Sequence, residues 1–66
     1  MSPDEEMDEL RESYREAAQR MHADEFCRHA LHDGVPRLYV AILLGDFYGL
    51  NLGECKRLIG ANERLS

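Results

Sequence analysis

Residues 37–48 read RLYVAILLGDFY, and whether this run is a strand or a helix decides the fold. A half-buried strand would alternate apolar and polar side chains. Residues 38–44 do not alternate, and only Val40 and Ile42 are β-branched. Read as a helix, the run is apolar on nearly every side, which is the pattern of a helix buried at the centre of a bundle. Gly49 then supplies a stop, because glycine takes the left-handed conformation that ends helices at little cost. Asn51 follows as a cap, and Glu54, three residues on, completes the spacing of a capping box. Leu52, Cys55, Leu58 and Ile59 form one face of a last short helix, ended by Gly60, Ala61 and Asn62.

Upstream, DGVP at 33–36 reads as a stop and restart, with Gly34 after one helix and Pro36 in the first turn of the next. At the start of the chain, SPDE places Ser2 as a cap, Pro3 at the first helical position and Glu5 at the capping-box position. Apolar residues then recur at Met7, Leu10, Tyr14, Ala17, Ala18 and Met21, the spacing of an amphipathic helix with a narrow stripe. The stripe does not continue. Asp24, Glu25 and Arg28 occupy its next positions, while Ala23, Phe26, Cys27, Ala30 and Leu31 form a second stripe almost opposite the first. Either the helix breaks near residues 22–24, with Asp24 capping a new one, or one long helix offers opposite faces to two partners. The second alternative leaves Met7, Leu10, Tyr14, Ala17 and Met21 for a second copy of the chain, and a homodimer is expected on that ground.

The expectation is an all-α fold, a small bundle of three to four helices with a long acidic N-terminal helix. It forms one domain over 1–66, with an acidic amphipathic helix at 3–22 and a compact helical core at 24–62. A chain of 66 residues has room for one small core, and isolated cores of this size are marginal. Two cysteines allow at most one bridge, not a disulfide framework. With no signal-like segment and no apolar run long enough to span a bilayer, a reducing, cytoplasmic setting away from membranes is expected.

The net charge of −5 is unevenly placed. Residues 1–26 carry nine acids against three arginines, a balance of −6, while residues 27–66 carry four acids against five bases, a balance of +1. A phosphate backbone meeting the whole surface would be repelled, which disfavours nucleic acid as a partner.

Two segments are candidates for chemistry. In HADEFCRHALHD, residues 22–33, a continuous helix would place His22, Glu25, His29 and either His32 or Asp33 on one face, at spacings that can hold zinc or iron. The metalloprotease pattern of two histidines four apart with a glutamate after the first is absent. Near a helix C-terminus, histidines also serve the dipole as partial cations. Cys55 lies on the apolar stripe between Leu52 and Leu58, where a thiol acts as a small inert hydrophobe and not as a nucleophile beside a base. No Gly-rich phosphate loop and no readable Ser–His–Asp arrangement is present. Neither catalysis nor a cofactor is expected.

YGLNLGECKRLIGAN, residues 48–62, resembles the TGAGMMDCKKALTEAN segment of the ubiquitin-associated-like N-terminal domain of elongation factor Ts. It is also similar to the TGLGLKEAKDLVE segment in the C-terminal domain of the bacterial ribosomal stalk protein. In both, an apolar helix ends at a glycine and an amphipathic helix packs back. Gly49, Glu54, Cys55, Lys56 and Leu58 occupy matching positions, whereas Asn51 stands at the second glycine and Gly53 replaces a large residue. The resemblance covers residues 36–62 and implies a module that contacts another protein without doing chemistry. It makes Lys56 and the turn Leu50–Gly53, with Asn51 inside it, the expected contacts, and the adjoining Arg57 is counted with them as a partner-binding residue. Two alternatives stand beside this adaptor reading: a helix-turn-helix regulator binding DNA through residues 52–64, and a metal-binding protein using His22, Glu25, His29 and His32.

Overall fold

The computed structural model describes residues 3–65, with side chains from 5 to 64. Four helices follow in order: α1 (Pro3–Arg20), α2 (Ala23–His32), α3 (Arg37–Tyr48) and α4 (Leu52–Leu65). No strand occurs among the described residues, and the protein is a small all-α bundle. No helix there is long and apolar enough to cross a membrane. Pro3 opens α1; the expected Ser2 cap lies outside the described residues.

The chain breaks between Arg20 and Ala23, and this settles the change of stripe. His22, in extended backbone, precedes α2 and makes no side-chain cap. Asp24, expected to cap, instead lies in the first turn of α2, where a carboxylate suits the positive end of the helix dipole. The break lets α1 fold back, so both stripes meet one core. Met7 and Tyr14 are 6% and 9% exposed, and Leu10, Ala17, Ala18 and Met21 pack around the same cluster. The stripe expected to self-associate is thus largely taken up by its own chain: Met7 and Tyr14 are buried, and Leu10, Ala17 and Met21 are partly buried against the same core. The reason for expecting a dimer through it falls away. Tyr48 fixes the fold-back: its hydroxyl donates to the carbonyls of Met21 (2.8 Å) and Ala18 (3.1 Å), which close the end of α1.

Phe26 is the hub of this arrangement. It is fully buried, and its ring meets Tyr14, Phe47 and Tyr48 edge-on at centroid distances of 5.7, 5.7 and 5.6 Å. Cys27, Ala30, Val40, Leu43 and Leu44 are fully buried with it, and Cys55 and Ile59 of α4 join the same core. α1 packs on α2 and α3, and α4 packs on the same two helices without reaching α1. Arg11 adds an exposed link from α1 to α3 through Asp46 at 2.6 Å.

The two joints follow the sequence closely. α2 ends in a Schellman motif: Gly34, at φ +90°, bonds back to Leu31 and Val35 to Ala30. Pro36 stands just before α3 and not within its first turn. Gly49, at φ +67°, ends α3 and bonds to Gly45. Asn51 then opens α4, its Oδ1 accepting from the Glu54 amide at 2.8 Å while its Nδ2 reaches the Glu54 carboxylate at 3.4 Å.

α4 does not end at residues 60–62 but runs to Leu65. Gly60 and Asn62 are poor helix residues, and tertiary bonds override them. Asn62 is 4% exposed; its Nδ2 donates to Asp24 at 3.0 Å and to the Leu58 carbonyl at 2.9 Å. Its Oδ1 accepts from Arg28 Nε at 3.3 Å, so this one amide ties the last turns of α4 to α2.

Candidate functional site

α3 and α4 form an antiparallel hairpin. Near its middle, Cys55 Sγ lies 3.4 Å from the Ala41 carbonyl, and at its open end Arg37 Nε lies 3.2 Å from the Glu63 carboxylate.

Among the described residues, the hairpin also carries the exposed large apolar side chains. Leu38 and Leu52 are 67% and 62% exposed, and Ile42 is 36% exposed. Leu38 and Ile42 stand one turn apart on α3, and Lys56 follows Leu52 by one turn on α4. Lys56 and Arg57 are exposed and form no ion pair among the described residues. α3 thus departs from the centrally buried helix its composition suggested. α1, α2 and α4 cover it on three sides, and no further helix closes the fourth.

The residues expected at a partner surface divide here. Gly53, Lys56 and Arg57 are exposed. Leu50 is partly buried against the core, and Asn51 is exposed but occupied in the cap. Leu52, within the expected 50–53 turn, is exposed, and the exposure of Leu38 and Ile42 is not anticipated by the sequence reading. Chain length was the available signal, since a protein this short cannot surround a helix that is apolar all round.

A groove of about 810 Å³ lies between α1 and the 33–36 turn. Tyr14 and Tyr39 contribute to its walls, with Glu6, Glu9 and Asp33 as its acids. Tyr14 donates to Asp33 at 2.8 Å, and Tyr39 donates to Glu6 at 2.8 Å. His29 Nε2 stands 3.5 Å from the same Asp33 oxygen, its ring edge-on to Tyr14 at 5.8 Å. The hydroxyls are thus engaged with carboxylates. Burial, then the Asp33 hydrogen bond and charge, pushes the Tyr14 hydroxyl up to about 12. Tyr39 is also raised, chiefly by its hydrogen bond to Glu6.

Tyr14 carries a pH signature. Its proton is held more tightly in the folded chain than in the unfolded one, so its contribution is fully present below the ordinary tyrosine pKa of about 10. That contribution is lost as pH rises from there to about 12. Tyr48 is raised as well, by burial, so ultraviolet titration is expected to show all three tyrosines ionising above the ordinary range, with Tyr14 the last. Tyr14→Phe should remove that late step and flatten the fall of stability across the same window. An unchanged titration in the variant would refute the assignment.

Burial raises both thiols, Cys27 and Cys55, and both are free and closed off from solvent. Such thiols are poor nucleophiles. The histidine face is not formed as drawn, because His22 stands outside α2 in extended backbone. Among the described residues no three His, Cys, Asp or Glu side chains gather to hold a metal ion. No family description, no curated protein and no solved structure matches this chain.

Proposed function

We propose that this chain is a small docking module that binds another protein through the outer side of the α3–α4 hairpin, and that it performs no catalysis. The occupant is an amphipathic helix of the partner that sets acidic residues beside its apolar ones. One observation carries this reading. Leu38, Ile42 and Leu52 stand exposed on the same hairpin as Lys56 and Arg57, which have no ion pair among the described residues, while the stripe of α1 is satisfied internally. Apolar area supplies affinity, and free charge at its edge selects partners of opposite sign and speeds encounter. The resemblance of residues 36–62 to translation-factor docking modules supports the same hairpin. The surrounding negative charge of α1 would repel a second acidic surface, which confines an acidic partner to this side.

The test uses Leu38→Glu combined with Leu52→Glu. Both sites are exposed, so the variant should keep the helical spectrum and melting temperature. A protein that co-purifies with the natural chain from its host is expected to lose more than about tenfold in affinity toward this variant. It should weaken similarly toward Lys56→Glu with Arg57→Glu, and bind Arg15→Glu as before. Equal capture by all three overturns the proposal. Salt-sensitive binding of generic duplex DNA, lost with Lys56 and Arg57, would replace it with the regulator reading.

A further inference from the structure

A second cleft, about 700 Å³, opens on the other side of the 33–36 turn, between α2, the start of α3 and the last turns of α4. That volume falls within the usual range for small-molecule sites. Leu31, Val35 and Pro36 give it an apolar lining. Arg28 and Arg37 enter it from two different helices.

Both guanidiniums are steadied from behind. Arg28 donates through Nε to Asn62 at 3.3 Å, and Asn62 is itself buried and held by Asp24 and the Leu58 carbonyl. The Asp24 carboxylate stands 3.8 Å from Arg28 Nη2, beyond hydrogen-bond distance. Arg37 engages Glu63 through Nε at 3.2 Å. Arg37 meets Glu63 at Nε, which leaves the edge formed by its two terminal amino groups for a carboxylate fork, whereas the Nη2 of Arg28 keeps Asp24 as an exposed, long ion pair that an incoming carboxylate would have to displace. Glu63 lines the same cleft and competes for Arg37. That pair is exposed, so exchanging it for a ligand costs little.

We infer that this cleft binds an organic carboxylate with an apolar body, its carboxylate held between Arg28 and Arg37 and its body lying on Leu31, Val35 and Pro36. The inference does not rest on the docking reading, since it concerns a different opening and different side chains. The chemistry fits a free acid or the C-terminus of a peptide, and the free acid is the occupant proposed.

The experiment titrates the isotope-labelled full chain with octanoate and follows backbone amide shifts. Saturable shifts are expected at Leu31, Val35 and Arg37. Arg28→Gln and Arg37→Gln should each weaken binding about tenfold, the scale of one lost charge-assisted contact. Glu63→Gln should tighten it by removing the competing carboxylate, while Arg15→Gln should leave it unchanged. Octanol, with the same chain and no charge, should bind far more weakly. A short peptide ending in leucine, compared with its amidated form, reads the alternative source. Preference for the free terminus at an affinity above that of octanoate keeps the carboxylate site and transfers its occupant to a chain end. The inference is overturned if octanol matches octanoate, if both arginine variants bind as the natural chain does, or if no saturable shift occurs.

Discussion

Phe26→Ala is expected to abolish cooperative folding. Removing a buried phenylalanine costs about 3–5 kcal/mol, the lost transfer energy plus the cavity left behind. Domains hold roughly 0.05–0.15 kcal/mol per residue, so a chain of 66 residues has a total of about 3–10 kcal/mol. The loss is thus comparable to the whole. Phe26 is also the one ring that touches aromatic side chains of both α1 and α3, so its removal loosens three helices together. Circular dichroism of the variant should show reduced helix at 25 °C and no sigmoidal urea transition. Phe26→Leu, which keeps most of the volume, should retain a transition at lower urea. A cooperative melt of Phe26→Ala within a few degrees of the natural chain would contradict the central role given to this ring.

Local signals gave this fold away, and long-range ones did not. Gly34, Gly49 and the Asn51–Glu54 pair act within a few residues of themselves, and each joint lies where its residues placed it. The α3 boundaries follow from the same local chemistry. The direction of α1 was open because it depends on Tyr48, whose hydroxyl reaches carbonyls 27 and 30 residues earlier in the chain. Nothing in the periodicity of residues 3–31 separates a broken helix from a straight one. The end of α4 was placed too early for a similar reason. Glycine and asparagine favour stopping a helix, but Asn62 finds Asp24 and Arg28 on α2, and that contact is not visible in the local sequence. At the candidate site, the exposed bases Lys56 and Arg57 were legible as charges on a helix face. The exposure of Leu38 and Ile42 was not, because an apolar helix carries no mark of which side its neighbours leave open.

The charge distribution acquires a different meaning once α1 is docked. Its apolar stripe is spent inside, so the acids of the first segment form an outer wall and not one side of an interface. Several are already engaged: Asp8 with Arg11, Glu16 with Arg20 and Glu6 with Tyr39. These exposed pairs add little stability. Such a wall acts on association, since it keeps like-charged surfaces away, and under the proposed docking role it would leave the hairpin as the approachable side for an acidic partner.

A chain beginning at residue 22 is expected to lose its native structure, and this separates an internal role for α1 from a dimerising one. In the folded protein α1 covers Phe26 and supplies Met7 and Tyr14 to the core. Its terminal carbonyls are also the acceptors for the Tyr48 hydroxyl. Without it, one side of the α2–α3 layer is bare, and residues 22–66 fall well below the roughly 60 residues at which isolated domains are already marginal. The shortened chain should show weak helicity, a broad thermal transition and concentration-dependent association through the uncovered aromatic surface. A peptide of residues 3–21 added in trans should restore helicity and a single transition, because it returns the stripe to the surface it fits. The full chain, its stripe already covered, should sediment near the 7.6 kDa of one copy. A dimer held by α1 predicts the reverse: residues 22–66 would stay folded and monomeric, and the full chain would sediment at twice its mass until Met7 or Tyr14 was made polar. That second pattern would show that α1 belongs to an interface between copies and not to the core of its own chain.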